Sequence, residues 1–190
     1  MGKIIVSEFV TLDMVFEDPG GAEGTKYGGW SLEFNSAEYG KFKFEELMSV
    51  GSLLLGRATY EEFASAWPKM KDHAGEFGDK MNSMPKYVIT SKLDKLEWNN
   101  SHILQGEPAE AIAKLKQESQ EDILVNGSSE LLKLLLAVEL VDELRLMVHP
   151  VVLGQGKRLF DDVDKTIFKL SDTRKIGEDT VVLFYRPAEA

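Results

Sequence analysis

The chain has 190 residues, with 22 lysines and arginines against 32 aspartates and glutamates, a formal charge of −10. That length suits one ordinary domain, residues 1–190, able to bury its own core, and the acidic balance argues against nucleic-acid or anionic-membrane partners. With no cysteine, disulfides, thiolate metal sites and cysteine nucleophiles are excluded, which fits a cytoplasmic address.

Lys3 to Leu12, rich in Ile, Val, Phe and Thr, predicts a first strand. Glu17 to Gly29 gathers glycines around Pro19 and predicts a long mobile loop. Asn35 followed by Glu38 fits a capping box for a helix whose inner face carries Phe44, Leu47 and Met48, ending near Gly51. Ser52 to Leu55 predicts a short strand running into Gly56, and Thr59 with Glu62 a second capping box for a helix that Trp67-Pro68 terminates. Tyr87 to Thr90 and Ile103-Leu104 predict further strands, followed by a helix from Pro108 to about Glu118. Ile123 to Val125 predicts a buried strand, broken at Asn126-Gly127 before a Leu-rich helix from Glu130 to Val138. Leu131 to Val141 is the longest apolar run, too short and too charged at Lys133 and Glu139 to span a bilayer, and the N-terminus does not read as a signal peptide. Leu144 to Val148, Val151 to Leu153, Ile167 to Leu170 and Val181 to Tyr185 predict strands with connections short enough only for antiparallel neighbours. The expected fold is therefore α/β, one three-layer domain whose central sheet is mostly parallel with an antiparallel C-terminal edge.

Three strand-to-helix junctions are candidate binding sites. Gly56-Arg57-Ala58-Thr59 offers helix amides, a permissive glycine and a guanidinium suited to phosphate, although Gly56 could equally make only the turn. Thr90-Ser91-Lys92 offers two hydroxyls and a cation where a sheet of this kind holds a ribose. A cation in place of an acid leans toward NADP rather than NAD, and an ordinary polar strand exit is the plainer alternative. Gly127, Ser128 and Ser129 form a third junction, matching neither G-x-G-x-x-G nor the P-loop.

The sequences Leu53-Leu54-Leu55-Gly56-Arg57-Ala58-Thr59-Tyr60-Glu61, Tyr87-Val88-Ile89-Thr90-Ser91 and Val125-Asn126-Gly127-Ser128 resemble, in order and spacing, the cofactor-binding junctions of dihydrofolate reductases. Leu140 to Leu146, followed by His149 to Phe160, resembles the C-terminal half of the reductase domain of bacterial riboflavin biosynthesis and its stand-alone relatives. This resemblance implies a dihydrofolate reductase-like fold that binds NADPH and passes hydride to a small heterocycle, pyrimidine- or pterin-like. It implies that Gly56, Arg57 and Thr59 hold the diphosphate side, Thr90, Ser91 and Lys92 the adenosine 2′-phosphate, and Gly127, Ser128 and Ser129 the diphosphate from the other side. Val15 and Phe16, after Thr11-Leu12-Asp13, would line the nicotinamide. Met14 departs from the riboflavin-type pattern, which has glycine after the aspartate, and Asn126 from the first of two glycines in dihydrofolate reductases.

Hydride transfer needs few catalytic groups because the cofactor carries the chemistry. Residues 18–30 then form the expected lid, with Trp30 and Phe34 as stacking surfaces for a flat substrate, Trp30 being equally readable as core. Asp13 is the candidate catalytic acid, though an aspartate leaving a strand is more often a turn former. Glu38 is expected to cap, and Glu45 and Glu46 to face solvent. The three histidines lack metal-ligand spacing, so no metal is expected, and His149 reads as a strand-end residue. A homodimer in which strands of the C-terminal antiparallel edge, such as Val181 to Tyr185, pair across a two-fold axis is a further expectation. The competing function is a non-catalytic nucleotide-binding or sensing module on the same fold.

Overall fold

The computed structural model describes residues 1–70 and 73–188. Eight strands make one sheet: β1 (Ile4–Thr11), β2 (Ser52–Gly56), β3 (Lys86–Ile89), β4 (Ser101–Ile103), β5 (Ile123–Val125), β6 (Glu143–His149), β7 (Phe168–Ile176) and β8 (Thr180–Pro187). Their order across the sheet is β4-β3-β2-β5-β1-β6-β8-β7. The pairings from β4 through β6 are parallel, and β8 and β7 add an antiparallel edge. The expected mixed sheet is present, because helices separate the first strands while the last two are joined by a short turn.

Side-chain alternation along β1 divides the core into layers. Ile4, Val6 and Val10 pack with Ile112 and Leu115 of α4 (Pro108–Glu118) and with Leu131, Leu132 and Leu135 of α5 (Ser129–Ala137). Ile5, on the opposite face, packs with Leu47 of α1 (Ala37–Met48), Tyr60 of α2 (Arg57–Ala66) and Met81 of α3 (Gly75–Ser83). Both faces of the parallel part are thus covered, as its near-continuous apolar strands require.

Several local expectations are corrected. Ser36, not Asn35, caps α1, its side chain accepting from the amide of Tyr39. The inner face of α1 carries Phe42, Glu46 and Leu47, with Phe44 and Met48 only half-buried. The Thr59/Glu62 capping box does not exist: α2 starts two residues before Thr59, and its cap, Gly56, has no side chain to offer. Residues 151–153 are not a strand, because their amides go elsewhere; those of Leu153 and Gly154 bond the Asp13 carboxylate. The strand expected at 167–170 runs on to Ile176 past an irregularity between Leu170 and Asp172. Helix α3 carries two glycines and few apolar residues, which hid its period.

Helix α3 ends on an unusual cap. Lys86 is fully buried and its ammonium donates to the carbonyls of Met81, Asn82 and Met84 at 2.8, 3.3 and 2.7 Å. It also sits 4.3 Å above the ring of Trp98. Burial draws its pKa down to about 8, which still leaves it charged at neutral pH. Three orphan carbonyls of the helix end are thereby satisfied by one cation. Lys86→Met keeps the aliphatic stem and removes the donor, so the urea unfolding midpoint should fall by an amount equivalent to about 2 to 3 kcal/mol, the cost of orphaning buried acceptors.

Candidate functional site

Strands β1, β2, β3 and β5 are parallel, so their carboxyl ends share one rim, and a cavity of about 1120 Å³ opens there. The three junctions converge on it: Gly56, Arg57, Thr59, Thr90, Ser91, Lys92, Gly127, Ser128 and Ser129 all line its wall. Neighbouring β2 and β5 set the first and third junctions against each other. A β-carbon on Gly56 would collide with the Ser128 hydroxyl, and one on Gly127 would lie 2.7 Å from Thr59 Oγ1. Gly127 also has φ +76°, and its peptide to Ser128 is cis. Side chains are excluded here by contact, which leaves backbone amides as the surface presented.

Helices α2 and α5 both begin without a side-chain cap, at Gly56 and Ser128. Two helix N-termini with unclaimed amides therefore point to one place, an arrangement suited to anions. The charged side chains near them are less free. Arg57 is paired at 2.6 Å with Glu61, one turn along α2. Thr90 Oγ1 accepts from the amides of Lys92 and Leu93, closing the turn after β3 and leaving Ser91 and Lys92 exposed.

The other residues expected at the site divide. Phe16 lines the cavity. Val15, expected beside it, does not line the cavity: it is fully buried, its amide bonded to Thr11 Oγ1 and its backbone bridged to Arg158. Trp30 and Phe34 do not line the cavity; they join Phe9 and Tyr39 around the ring of His149, with Trp30 edge-on at 5.2 Å. Trp30 Nε1 donates to Glu17 O, which fixes the plainer reading of Trp30 as core. Asp13 lies outside the lining too and anchors the 151–158 loop. Its carboxylate accepts from Thr11 Oγ1 at 2.6 Å and from the amides of Leu153 and Gly154, and these bonds hold its pKa below the ordinary value. Met14 takes φ +61°, the left-handed conformation for which glycine is better suited. Residues 18–30 are tied up internally, since buried Asp18 accepts from the amides of Glu23 and Thr25 and the Thr25 hydroxyl.

The deeper half of the cavity holds residues that patterning did not reveal. Glu46 is not solvent-facing but 3% exposed, paired with Lys43 and, at 3.1 Å, with Arg145 of β6, which also binds Glu143 at 2.7 Å. Burial opposes its charge, but Lys43 and Arg145 prevail and hold its pKa below the usual glutamate value. Glu8, in the middle of β1, is also buried, and its Oε1 accepts from the amide of Gly127 at 2.6 Å. Burial pushes its pKa up to about 8, against the partial pull of that amide and of Lys43. A carboxyl inside an apolar strand was the available signal, because such a group is rarely buried without a partner. His149, read as a strand-end residue, is fully buried; Nδ1 is 3.0 Å from Met147 O and Nε2 has no hydrogen-bond partner among the described residues.

This geometry has clear relatives. An uncharacterized Bacillus subtilis (strain 168) protein, YyaP, is 30% identical over 186 residues, covering 96% of this chain and 94% of its own. A putative riboflavin biosynthesis protein from Shewanella sp. PV-4 superposes with a TM-score of 0.77 at 19% identity, covering both chains completely. Dihydrofolate reductase from Enterococcus faecalis, complexed with NADP(H), superposes with a TM-score of 0.62 at 17% identity, covering 99% of this chain and 98% of that one. The fold is thus dihydrofolate reductase-like, and the sequence matches the RibD C-terminal domain over residues 2–182. A mixed sheet with glycine and hydroxyl junctions along one rim, matched over nearly its whole length, belongs to the RibD C-terminal domain family.

Proposed function

We propose that this protein is an NADPH-dependent reductase that transfers hydride to a small heterocyclic substrate of pyrimidine or pterin type. The observation that carries this reading is the meeting of two uncapped helix N-termini across Gly56 and Gly127, where side chains are sterically excluded. That surface fits a diphosphate, which needs close backbone approach and several amide donors. The NADP(H) complex of the E. faecalis dihydrofolate reductase, on the same fold, supports the cofactor assignment.

When bound, the nicotinamide supplies the hydride. The chain's own residues bind and orient. Gly56, Thr59, Gly127, Ser128 and Ser129 hold the diphosphate, and Arg57 exchanges Glu61 for a phosphate oxygen. Ser91 and Lys92 receive the adenosine 2′-phosphate, with Thr90 shaping their turn. Phe16 lines the nicotinamide end next to buried Val15, while Trp30 and Phe34 support that wall from behind through the His149 cluster. Asp13 acts at a distance, by fixing the loop that includes Gly154. Val181 to Tyr185 lies inside the sheet as part of β8, between β6 and β7, so the edge strand β7, exposed from Lys169 to Lys175, is the surface we assign to homodimer formation instead.

The cavity wall carries Glu17, Glu23, Glu61 and Glu62 besides its few cations, so affinity for a polyanion must come mainly from amides and Lys92. Lys92→Glu should therefore weaken NADPH binding by about tenfold or more while leaving NADH binding nearly unchanged, since only NADPH carries the 2′-phosphate. Gly127→Ala puts a β-carbon against Thr59 Oγ1 at a positive φ. It should weaken both dinucleotides by about tenfold or more, the size of one disrupted charge-assisted contact. Glu62 has its pKa raised by burial and by Glu23 and Asp18. Its protonation as pH falls removes a negative charge from the wall, so NADPH affinity should rise on acidification and Glu62→Gln should flatten that slope. Tryptophan fluorescence titration measures all three. Loss of NADPH absorbance with pterin and pyrimidine substrates tests turnover: tight binding with no oxidation of NADPH would make the protein a nucleotide-binding module instead.

A further inference from the structure

The cavity continues into an aromatic recess between α1, α2 and α3 that none of the proposed cofactor contacts uses. Its wall is Phe63 of α2, Trp67 at the end of that helix and Phe77 of α3, completed by buried Leu47 of α1 and Met81 of α3. Phe63 and Trp67 meet edge to face with ring centres 6.4 Å apart, and those of Trp67 and Phe77 are 5.3 Å apart. All three rings are only half-buried, so they turn apolar surface to the cavity. A concave wall of half-covered aromatic rings marks a ligand site more than a core. The recess is also preformed. Asn82 Nδ2 donates to Trp67 O at 3.1 Å and to Gly78 O at 2.9 Å, and Asn82 Oδ1 accepts from Trp98 Nε1 at 2.8 Å. One side-chain amide thereby ties the end of α2 to α3 and fixes Trp67 relative to Phe77.

The charges around this wall select its occupant. Glu61 and Glu62, next to Phe63 on α2, line the same cavity, as does Glu23 of the β1–α1 loop. Burial first, and then Glu23 and Asp18, raise the Glu62 pKa, so that loop brings further negative charge to this side. Among the described residues the lining has four cations. Lys43 faces Glu46, Arg57 faces Glu61 and Lys157 faces Glu17, while Lys92 stands at the proposed 2′-phosphate position. Once a cofactor phosphate takes Arg57, Glu61 is left without its cation. A carboxylate or phosphate on the substrate would therefore have to break an ion pair or compete with the cofactor, whereas an uncharged group only covers the rings.

We propose that this recess is a substrate subsite for an uncharged aromatic or alkyl substituent, so that the heterocycle reduced here carries an apolar group and no phosphate or carboxylate. The inference rests on the reductase reading above and narrows its substrate class. Phe63, Trp67 and Phe77 supply the contact area, and Glu61 and Glu62 repel anions, so attraction and rejection are built into the same helix.

The test uses the full chain with NADP⁺ present and two probes that share a ring system and differ in charge, 2-naphthylmethanol and 2-naphthoate. Binding is read from the indole N–H signals of nitrogen-15-labelled tryptophan, the Trp67 signal being the one missing from Trp67→Phe. 2-Naphthylmethanol should shift that signal, and 2-naphthoate should bind about tenfold or more weakly than it, as like charges beside an apolar wall require. Glu62→Lys should narrow that gap, which a merely structural role for the rings would not produce. Pterin and its phenyl derivatives then link the recess to the heterocycle. At a fixed pH, 6-phenylpterin or 7-phenylpterin should bind about tenfold or more tightly than pterin, the gain from burying one ring, and Phe77→Ala should lose most of that gain. The proposal is overturned if 2-naphthylmethanol leaves the Trp67 signal unmoved, if 2-naphthoate binds equally well, or if neither phenylpterin exceeds pterin. Failure of the wild type to bind NADPH, read separately by tryptophan fluorescence, is a different result and removes the reductase reading itself. Should the variants not fold, the relative affinities of the wild type for the two naphthalenes and for pterin and its phenyl derivatives decide alone.

Discussion

The site depends on the mutual approach of two strand-to-helix turns. Because β2 and β5 are hydrogen-bonded neighbours, helices α2 and α5 start side by side, and any side chain at Gly56 or Gly127 would occupy space taken by Ser128 or Thr59. Neither helix has a side-chain cap. Their orphan amides are thus left to whatever occupies the cavity; at Ser128 a bonded hydroxyl would have stabilised the helix by about 1 kcal/mol, while at Gly56 contact rules out any side-chain cap. Two uncapped starts at adjacent points of one sheet favour a ligand that supplies the missing acceptors.

Across the cavity the chemistry is of the opposite kind. There the surface is formed by side chains, and their charges are settled by one another. Glu46 keeps its charge because Lys43 and Arg145 flank it, while Glu8, which feels the same lysine, is driven toward neutrality by burial. Two carboxyls line one pocket with pKa values pushed in opposite directions, one by its cationic partners and the other by burial. The rim where the two helices begin is built of backbone, and the opposite wall of paired and unpaired side chains.

This division explains what could be read in advance. Gly56, Gly127 and the hydroxyl residues near them carry their meaning locally, because a strand followed by a glycine and a helix is recognisable in one segment. The convergence of those junctions then followed from a sheet whose first strands are parallel. Glu46 could not be read in the same way: its burial depends on Arg145, 99 positions away, reaching it from β6. Trp30 stayed open between core and stacking surface for a related reason, since its position is set by Glu17 O and by the His149 ring rather than by its own neighbours in sequence. The failed capping boxes at Asn35 and Thr59 are of a third kind. Short polar spacings recur by chance, and a helix entering directly from a buried glycine leaves no room for one.

The loop between β1 and α1 connects the two halves. Its glycines suggest freedom, yet Asp18 gathers the amides of Glu23 and Thr25 and the Thr25 hydroxyl, and its carbonyl receives those of Gly21 and Gly29. The loop is therefore braced from within, with Phe16 and Glu17 at one end and Leu32 to Asn35 at the other. Those ends include the residues that line the cavity and the aromatic rings packed on His149. Pro19, Gly20 and Glu23, between those ends, line the cavity as well, so the bonds gathered by Asp18 set the shape of that wall.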